Sequence, residues 1–324
     1  MGKALYKNTK TMSDYVLHPL VQKELKFGKG NGVFEYEDLR KEKKTYCVQE
    51  KYDGARFMLV GTQGGHQLRS RVVSRKTEEL GDKTTNFPHL KINFPGLVLD
   101  GEIMAADGLW TSMGSAVLSK PEKSVAWQKA NGWVKYVAFD ILFLGTKDMR
   151  SFSYHYRRKI LREVVTQLGN KHIGIAKTWT LMGMEACRLF KTIIKGGGEG
   201  IMVKDSMAPY GKGVWKVKSF RDTNVIITGY TEGQGKYDNQ IGAVKFSVYD
   251  KGELVEIGQC SGLTDPERID FTRNKKKYIG KVIQVRGNQI SKHGRLRHPR
   301  FMRHRSLDSS PESCTMKKLQ EDFS

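Results

Sequence analysis

The chain has few cysteines and none of the long apolar runs that mark membrane proteins. Among 324 residues there are four cysteines, and none lies in a CxxC pair: Cys47, Cys187, Cys260 and Cys314. This spacing argues against a disulfide framework and a zinc site, and favours a reducing compartment. No apolar run approaches the ~20 residues that cross a bilayer, and the sequence begins with neither a signal-peptide core nor a myristoylation motif. We therefore expect a cytoplasmic protein with no membrane partner.

Acidic residues are also scarce, with 34 Asp and Glu against 56 Lys and Arg. The formal net charge of +22 favours an anionic partner, since the excess charge repels itself in the folded protein. Nucleic acid fits best, because its phosphates are neutralised by Lys and Arg spread along a surface. An anionic membrane is the alternative, but the sequence contains no concentrated polybasic amphipathic helix.

Two common site signatures are missing as well. The histidines show no metal-ligand spacing such as HExxH. Gly28, Gly30 and Gly32 lack the GxxxxGK[ST] pattern of a phosphate loop, so we expect a flexible loop there.

Strand-like segments dominate the first two-thirds of the chain. Runs rich in Val, Ile, Phe and Tyr are interrupted by two amphipathic helical patterns, at residues 153–168 and 182–196. Because strands outnumber helices and do not alternate regularly with them, we predict an α+β fold with antiparallel sheets. After about Asp222, short strands and turn signals predict an all-β, barrel-like module.

These changes in the pattern of strands, helices and turns predict the domain limits. The predicted domains are residues 1–220 and 221–306, followed by a tail at 307–324. The tail mixes Ser, Pro and charged residues, so we expect it to be frayed. We expect the basic segment before residue 45 to be an irregular surface loop.

The segment VQEKYDGARFMLV, residues 48–60, places four charged residues between two apolar runs. Lys51 is a poor nucleophile while protonated, but burial beside other cations or a metal favours its neutral amine. Gly54 permits a tight backbone, and Arg56 can contact an anion through two N–H groups. Taken alone, the KxDGxR pattern fits a hairpin turn with an ion pair as well as it fits a nucleophile.

Further charged and aromatic residues follow downstream, in or beside predicted strands. Two acidic residues on different strands can hold a hard divalent cation through oxygen ligands. Two lysines at positions i and i+2 of a strand point to one face, where a polyphosphate can lie. The segments contain Ser74-Arg75, Asp100 with Glu102, Phe139, Glu199 with Lys204, and Lys216 with Lys218.

In this order and spacing, the segments resemble the motif series of the ATP-dependent DNA ligases, within the covalent nucleotidyltransferase superfamily. The resemblance runs from Lys51 to about Arg305, and the compact size is similar to that of phage and viral ligases, which act in the host cytoplasm. It implies an antiparallel-sheet nucleotidyltransferase (adenylation) domain followed by an OB-fold domain. It also implies a role in DNA replication, repair or recombination.

The resemblance implies a three-step reaction with ATP and Mg²⁺ (or Mn²⁺) as cofactors. Lys51 attacks the α-phosphate of ATP to form lysyl-AMP, AMP passes to the 5′-phosphate of a nick, and the 3′-hydroxyl then displaces AMP. The implied partner is nicked double-stranded DNA, and a monomer is expected.

Positions that match the family motifs imply roles for individual residues. Lys51 is the catalytic residue, and the metal ligands are Glu102 and Glu199. The ATP-binding residues are Gln49, Arg56, Arg75, Glu102, Phe139, Lys216, Lys218, Arg303 and Arg305. Within this set, the adenine edge is assigned to Gln49, the adenine face to Phe139, ribose or terminal phosphate to Arg56 and Arg75, the α-phosphate to Lys216 and Lys218, and pyrophosphate to Arg303 and Arg305.

Several of these residues also have a purely structural interpretation. Phe139 lies in an alternating apolar strand, where core packing is common. Asp100 fits a turn as well as it fits a support for Glu102, and Arg75 fits an exposed basic residue. Lys204 and Met202 are assigned to packing or solvation.

Two other function classes remain open. An mRNA capping guanylyltransferase or an RNA ligase uses a comparable lysine motif. A catalytically inactive nick-binding or single-strand-binding protein would need only the OB-like module and the positive charge. The combination of Lys51 with Glu102 and Glu199 argues against the inactive protein, because binding alone does not require a lysine beside two carboxylates.

Overall fold

The computed structural model describes residues 25–73, 80–109, 112–291 and 294–323. They form two compact units, divided between Val217 and Lys218. The division lies just before Asp222, near which the residue pattern of the sequence changes. The domain limits predicted from the sequence stay a prediction. No helix among the described residues is long and apolar enough to span a membrane.

One sheet of the first unit contains the strand that leads into the KxDGxR segment. Its order is β1-β12-β11-β2-β10. The strands are β1 (Gly32–Val33), β2 (Thr45–Glu50), β10 (Thr178–Met182), β11 (Gly200–Lys204) and β12 (Val214–Lys218). Since β2 has antiparallel neighbours on both sides, β10 and β11, most of its residues are buried.

The second sheet of the first unit has seven strands in the order β5-β4-β3-β6-β7-β8, with β9 beside β7. The strands are β3 (Ala55–Thr62), β4 (Gly65–Val73), β5 (Leu80–Asp82), β6 (Val98–Met104), β7 (Lys135–Leu144), β8 (Lys147–Asp148) and β9 (Ile173–Ile175). The pairs along this order are antiparallel. The predicted α+β class with antiparallel sheets is confirmed.

Helices cover the sheets of the first unit. They are α1 (Tyr36–Lys41), α2 (Pro121–Asn131), α3 (Tyr154–Leu168) and α4 (Gly183–Lys195). α3 begins after Ser153, whose hydroxyl accepts the Tyr156 N–H at 3.4 Å, and ends at Gly169 with φ 63°. Its apolar face joins the main core through Ile160, Leu161 and Val164. α3 and α4 confirm the two predicted helices.

The second unit contains one antiparallel sheet in the order β15-β14-β13-β16-β17. The strands are β13 (Arg221–Glu232), β14 (Ile241–Asp250), β15 (Glu253–Cys260), β16 (Val282–Gly287) and β17 (Arg300–His304). Its helices are α5 (Asp265–Arg273), α6 (Lys275–Tyr278) and α7 (Met316–Phe323). Thr264 and Glu267 form a capping box at the start of α5, and Phe271 of α5 lies in the core.

Two sequence expectations about irregular segments were wrong. Residues 1–24 of the predicted loop before residue 45 lie outside the described residues; the rest contains β1 and α1, and Leu39 of α1 is buried against α4. The predicted frayed tail ends in α7, where Leu319 is fully buried. The side chain of Asp322 accepts a hydrogen bond from Thr223 at 2.8 Å. Both segments contain few apolar residues, and Leu39 and Leu319 are buried by elements distant in the sequence.

Candidate active site

A cavity of about 290 Å³ is lined by residues from both sheets of the first unit. Six of the residues predicted from the sequence line it: Gln49, Lys51, Arg56, Glu102, Phe139 and Lys216. A larger groove of about 860 Å³ runs along α3 and β10, and its described lining includes none of the predicted residues. The chemistry of the lining therefore points to the smaller cavity as the candidate active site.

Lys51 directly follows β2, at the wall of the cavity. Its backbone N–H donates to the Gly200 carbonyl at 2.9 Å, and its ammonium forms an ion pair with Glu199. The two residues are brought together because Glu50, at the end of β2, pairs with Ile201 of β11. The Glu199 side chain is 6% exposed and that of Lys51 22%, so a buried carboxylate fixes an amine that is still accessible.

Glu102 reaches the same cavity from β6, where it lies opposite Arg56 of β3. Burial raises the pKa of Glu102 to about 8; Lys51 and Arg56 lower it, while Asp100 and Glu199 raise it further. A cation close to Glu102 would favour its charged form.

Glu102 and Glu199 are the candidate ligands for a divalent cation at this wall of the cavity. Glu102 and Glu199 offer the carboxylate oxygens that a hard cation prefers. The described residues contain no group of three or more His, Cys, Asp or Glu side chains able to hold a metal by themselves. Two carboxylates supply only part of the coordination shell of a hard cation, so a divalent ion here would need further oxygen ligands from outside this pair.

Arg56 is held by a buried carboxylate. Its Nε and Nη2 atoms donate to the two oxygens of Asp100 at 3.0 and 2.6 Å, and Nη1 donates to the Gly28 carbonyl at 3.0 Å. The Tyr210 hydroxyl also donates to Asp100, at 2.6 Å. Burial by itself would lower the pKa of Arg56, but Asp100 raises it above the ordinary value. The structure thus places Asp100 as the partner of Arg56, whereas the sequence suggested a turn residue or a support for Glu102.

The aromatic side of the cavity contains Phe139, a half-buried residue of β7. The Arg56 guanidinium lies 5.5 Å from the centre of its ring and the Lys204 ammonium 4.9 Å. Lys204 and Met202, which the sequence assigned to packing or solvation, also line the cavity. Their position follows from strand alternation, because both lie on β11 two residues apart and face the same side.

Residues 34–218 match the sequence model of the ATP dependent DNA ligase domain. This match covers more than half of the chain. The protein belongs to the ATP-dependent DNA ligase family. Residues 232–305 match the DNA ligase OB-like domain, which confirms the predicted OB-like module in this ligase-family chain.

Curated ligases are similar along most of the chain. The DNA ligase of Archaeoglobus fulgidus is 25% identical over 310 residues, 86% of this chain and 55% of the relative. The DNA ligase of Methanosphaera stadtmanae is 26% identical over 255 residues, 75% of this chain and 45% of the relative. The chain thus spans about half the length of these curated ligases.

A solved Lig E DNA ligase has a similar fold, with a TM-score of 0.63 at 22% identity. The similarity covers 87% of this chain and 100% of that chain. At this identity the likeness concerns the fold.

In this ligase-family chain, the glycine segment before β1 forms part of the site. Gly28, Gly30 and Gly32 line the cavity, although the sequence predicted a flexible loop. A Cβ at Gly28 would lie 2.7 Å from the Cα of Gly211. Gly30 has φ +69°, and a Cβ there would lie 2.8 Å from the Val214 carbonyl oxygen. Gly28 and Gly30 are therefore needed for close backbone packing against Gly211 and Val214, and the spacing of the glycines was the available signal.

The remaining predicted ligase residues include Glu199, which pairs with Lys51 but is not among the residues that line the cavity. Lys218 is the last residue of β12 and the first of the second unit. Arg75 falls outside the described residues. In the second unit, Arg303 donates from Nε to the Gln284 side chain at 3.0 Å, and Arg305 forms an ion pair with Asp308 at 2.8 Å.

Proposed function

We propose that this protein is an ATP-dependent DNA ligase that seals nicks in duplex DNA through a lysyl-AMP intermediate on Lys51. The observation that carries the proposal is the placement of Lys51 in a cavity with Glu199 as its ion-pair partner and Glu102 on the facing sheet. These residues lie inside the region that matches the ligase domain.

ATP occupies the cavity in this proposal. Phe139 and Gln49 contact the adenine, and Lys216 and Lys218 bind the α-phosphate with charge-assisted hydrogen bonds. Arg56 and Arg75 bind ribose or terminal phosphate. Arg303 and Arg305, from the OB-like module, orient the pyrophosphate.

Glu102 and Glu199 would hold Mg²⁺ or Mn²⁺ beside the phosphates. The ion would neutralise phosphate charge and act as a Lewis acid. With its pKa raised to about 8 by burial, Glu102 would release a proton when a cation binds near neutral pH.

The chemistry on the chain begins at the Lys51 amine. After the ammonium passes a proton to water, its lone pair forms an N–P bond with the α-phosphorus, and the bond from that phosphorus to the bridging oxygen of pyrophosphate breaks, releasing pyrophosphate. The 5′-phosphate of the nick then displaces Lys51 from AMP, and the 3′-hydroxyl displaces AMP to form the phosphodiester. Glu199 orients the amine before the first step, and the surrounding cations stabilise the developing phosphate charge.

Covalent labelling tests the proposal. The wild-type protein should gain the mass of AMP when incubated with ATP and Mg²⁺, and Lys51→Ala should abolish both this adduct and nick sealing. Lys43→Ala is the matched control, since Lys43 is an exposed lysine in the turn before β2. A Lys51→Ala protein that still forms the adduct at normal yield would place the nucleophile elsewhere.

The same assay separates the other function classes. A capping guanylyltransferase would label with GTP, an RNA ligase would seal nicked RNA in preference to DNA, and a binding protein would form no adduct. Nicked double-stranded DNA as the partner, a monomeric state and a cytoplasmic location stay predictions.

A further inference from the structure

Gln49 is buried and lines the cavity from β2, with 2% of its surface exposed. An amide at this position has two possible orientations with opposite consequences. If its oxygen faces the nucleotide, the site accepts a hydrogen bond; if its NH₂ faces the nucleotide, the site donates one. A carboxylate would present an acceptor in either orientation. The Gln49 amide must therefore be held in one orientation if the site is to select one base.

Two hydroxyl groups contact the nitrogen of this amide. Gln49 Nε2 lies 2.9 Å from the Tyr154 hydroxyl and 2.7 Å from the Thr178 hydroxyl. Each hydroxyl has a single proton, and each has a backbone carbonyl as its acceptor. Tyr154 donates to the Phe139 carbonyl at 3.4 Å, and Thr178 donates to the Ala176 carbonyl at 3.1 Å.

The hydrogen bonds of the two hydroxyl groups favour one orientation of the amide. Carbonyl oxygens only accept, so each hydroxyl proton is committed and only lone pairs remain to face Gln49. A flipped amide would place its oxygen against two other oxygens that have no proton to share. Among the described residues, none donates a hydrogen bond to Gln49 Oε1. The oxygen is thus left for the cavity.

We propose that Tyr154 and Thr178 are positioning residues that fix the Gln49 carbonyl oxygen toward the cavity, and that this selects a 6-aminopurine nucleotide over a 6-oxopurine nucleotide. The inference deepens the proposed function and rests on it for the class of nucleotide. The exocyclic NH₂ of adenine donates to this oxygen, whereas the O6 of hypoxanthine or guanine would oppose it acceptor to acceptor.

Equilibrium binding of ATP and inosine triphosphate (ITP) tests the proposal without depending on catalysis. Calorimetry is done with Lys51→Ala protein, which prevents turnover. This protein should bind ATP at least about tenfold more tightly than ITP. Adding Thr178→Val, which removes one hydroxyl at nearly constant volume, should reduce that preference by roughly three- to tenfold. ITP should then bind more tightly than before, because the amide can turn its NH₂ toward O6.

Three further variants distinguish a role in orienting Gln49 from a general loss of folding or binding. Tyr154→Phe should relax the preference in the same direction. Thr180→Val changes a residue of β10 that lines the larger groove and should leave the ratio unchanged. Gln49→Glu in the Thr178→Val background should restore the preference for ATP, because a carboxylate needs no orientation.

The proposal is overturned if the starting protein binds ITP as well as ATP. It is also overturned if Thr178→Val and Tyr154→Phe both leave the ratio unchanged or weaken the two nucleotides equally. Adduct formation is measured separately on protein that retains Lys51. A protein that binds ATP selectively and never forms the adduct would refute the proposed function and still support this inference.

Discussion

Lys204 is a buried lysine without a carboxylate in direct contact among the described residues. It is 4% exposed, and its ammonium lies 4.5 Å from the Tyr154 ring centre and 4.9 Å from that of Phe139. It donates to the Phe139 carbonyl at 3.4 Å. Burial lowers the pKa of Lys204 to about 8, although Asp140 and Asp100 counteract this effect. The buried ammonium of Lys204 therefore lowers the free energy of unfolding.

Replacing Lys204 by Met should reveal this cost as a pH dependence of stability. The folded-state pKa of about 8 lies below the ordinary value of 10.5, so the unfolded chain binds more protons between these two values. The burial penalty is present in full below pH 8 and is relieved as the pH rises toward 10.5. The free energy of unfolding of the wild type, relative to Lys204→Met, should therefore rise from pH 7 to pH 10 by on the order of 2 kcal/mol.

Urea unfolding of the two proteins across this pH range measures the difference in their free energies of unfolding. Groups that titrate in the same way in both proteins do not contribute to this difference. Lys129→Met, at an exposed position of α2, is the control and should differ from wild type by a constant amount. Parallel curves for wild type and Lys204→Met would show that Lys204 titrates as an ordinary lysine.

At the scale of elements, β17 is an irregular edge strand that carries Arg303, and Arg305 follows its last residue. Its pairing shifts register between Phe301, which faces Val285, and Arg303, which faces Gln284. Phe301 is buried and Arg303 is exposed, although a regular strand would send both to the same face. A bulge that redirects side chains at a sheet edge is typical of functional sites.

The double variant Arg303→Ala/Arg305→Ala should lose self-adenylation and retain sealing of a nick whose 5′ end already carries AMP. Pyrophosphate leaves only in the first step, and the pre-adenylated substrate bypasses that step. Sealing rates on pre-adenylated and ordinary nicks, relative to wild type, measure the effect.

Lys276→Ala/Lys277→Ala, in the short basic helix α6, is the matched control for charge and should affect both substrates little. Equal losses on the two substrates in the arginine variant would assign Arg303 and Arg305 to DNA binding or folding.

At the scale of the whole molecule, most basic side chains of the described residues are exposed or partly exposed. Acidic side chains neutralise several of the buried cations, as in the Arg157–Asp140 pair at 2.7 Å. Other cations remain on exposed faces; Arg158, Lys159 and Arg162 of α3 line the larger groove. These exposed cations account for the expectation of a phosphate-bearing partner.

Binding to a nicked duplex should therefore weaken steeply with salt. For several phosphate contacts, a few-fold rise in KCl should reduce affinity by a factor of ~10 or more. The titration is done with Lys51→Ala protein and an intact duplex of equal length for comparison. A flat response would show that the excess charge of +22 lies outside the DNA interface.

The sequence by itself determined the features that depend on local pattern. Alternation of apolar residues marked β7, helical spacing marked α3 and α4, and the KxDGxR segment marked Lys51. It could not mark α2, because the buried residues of that helix are the polar Ser124 and Gln128. Their partners, such as the Asn86 carbonyl 2.8 Å from Gln128 Nε2, come from elsewhere in the chain.

Only the tertiary structure decided how the site is assembled. Gln49 contacts Tyr154 and Thr178, which lie 105 and 129 residues further along the chain. The ion pair of Lys51 with Glu199 spans 148 residues. Strand register and backbone packing set these contacts, and a residue's neighbours in sequence carry no information about them. The sequence therefore supplied the side chains that are proposed to carry the chemistry, whereas the packing of two sheets decided which way they face.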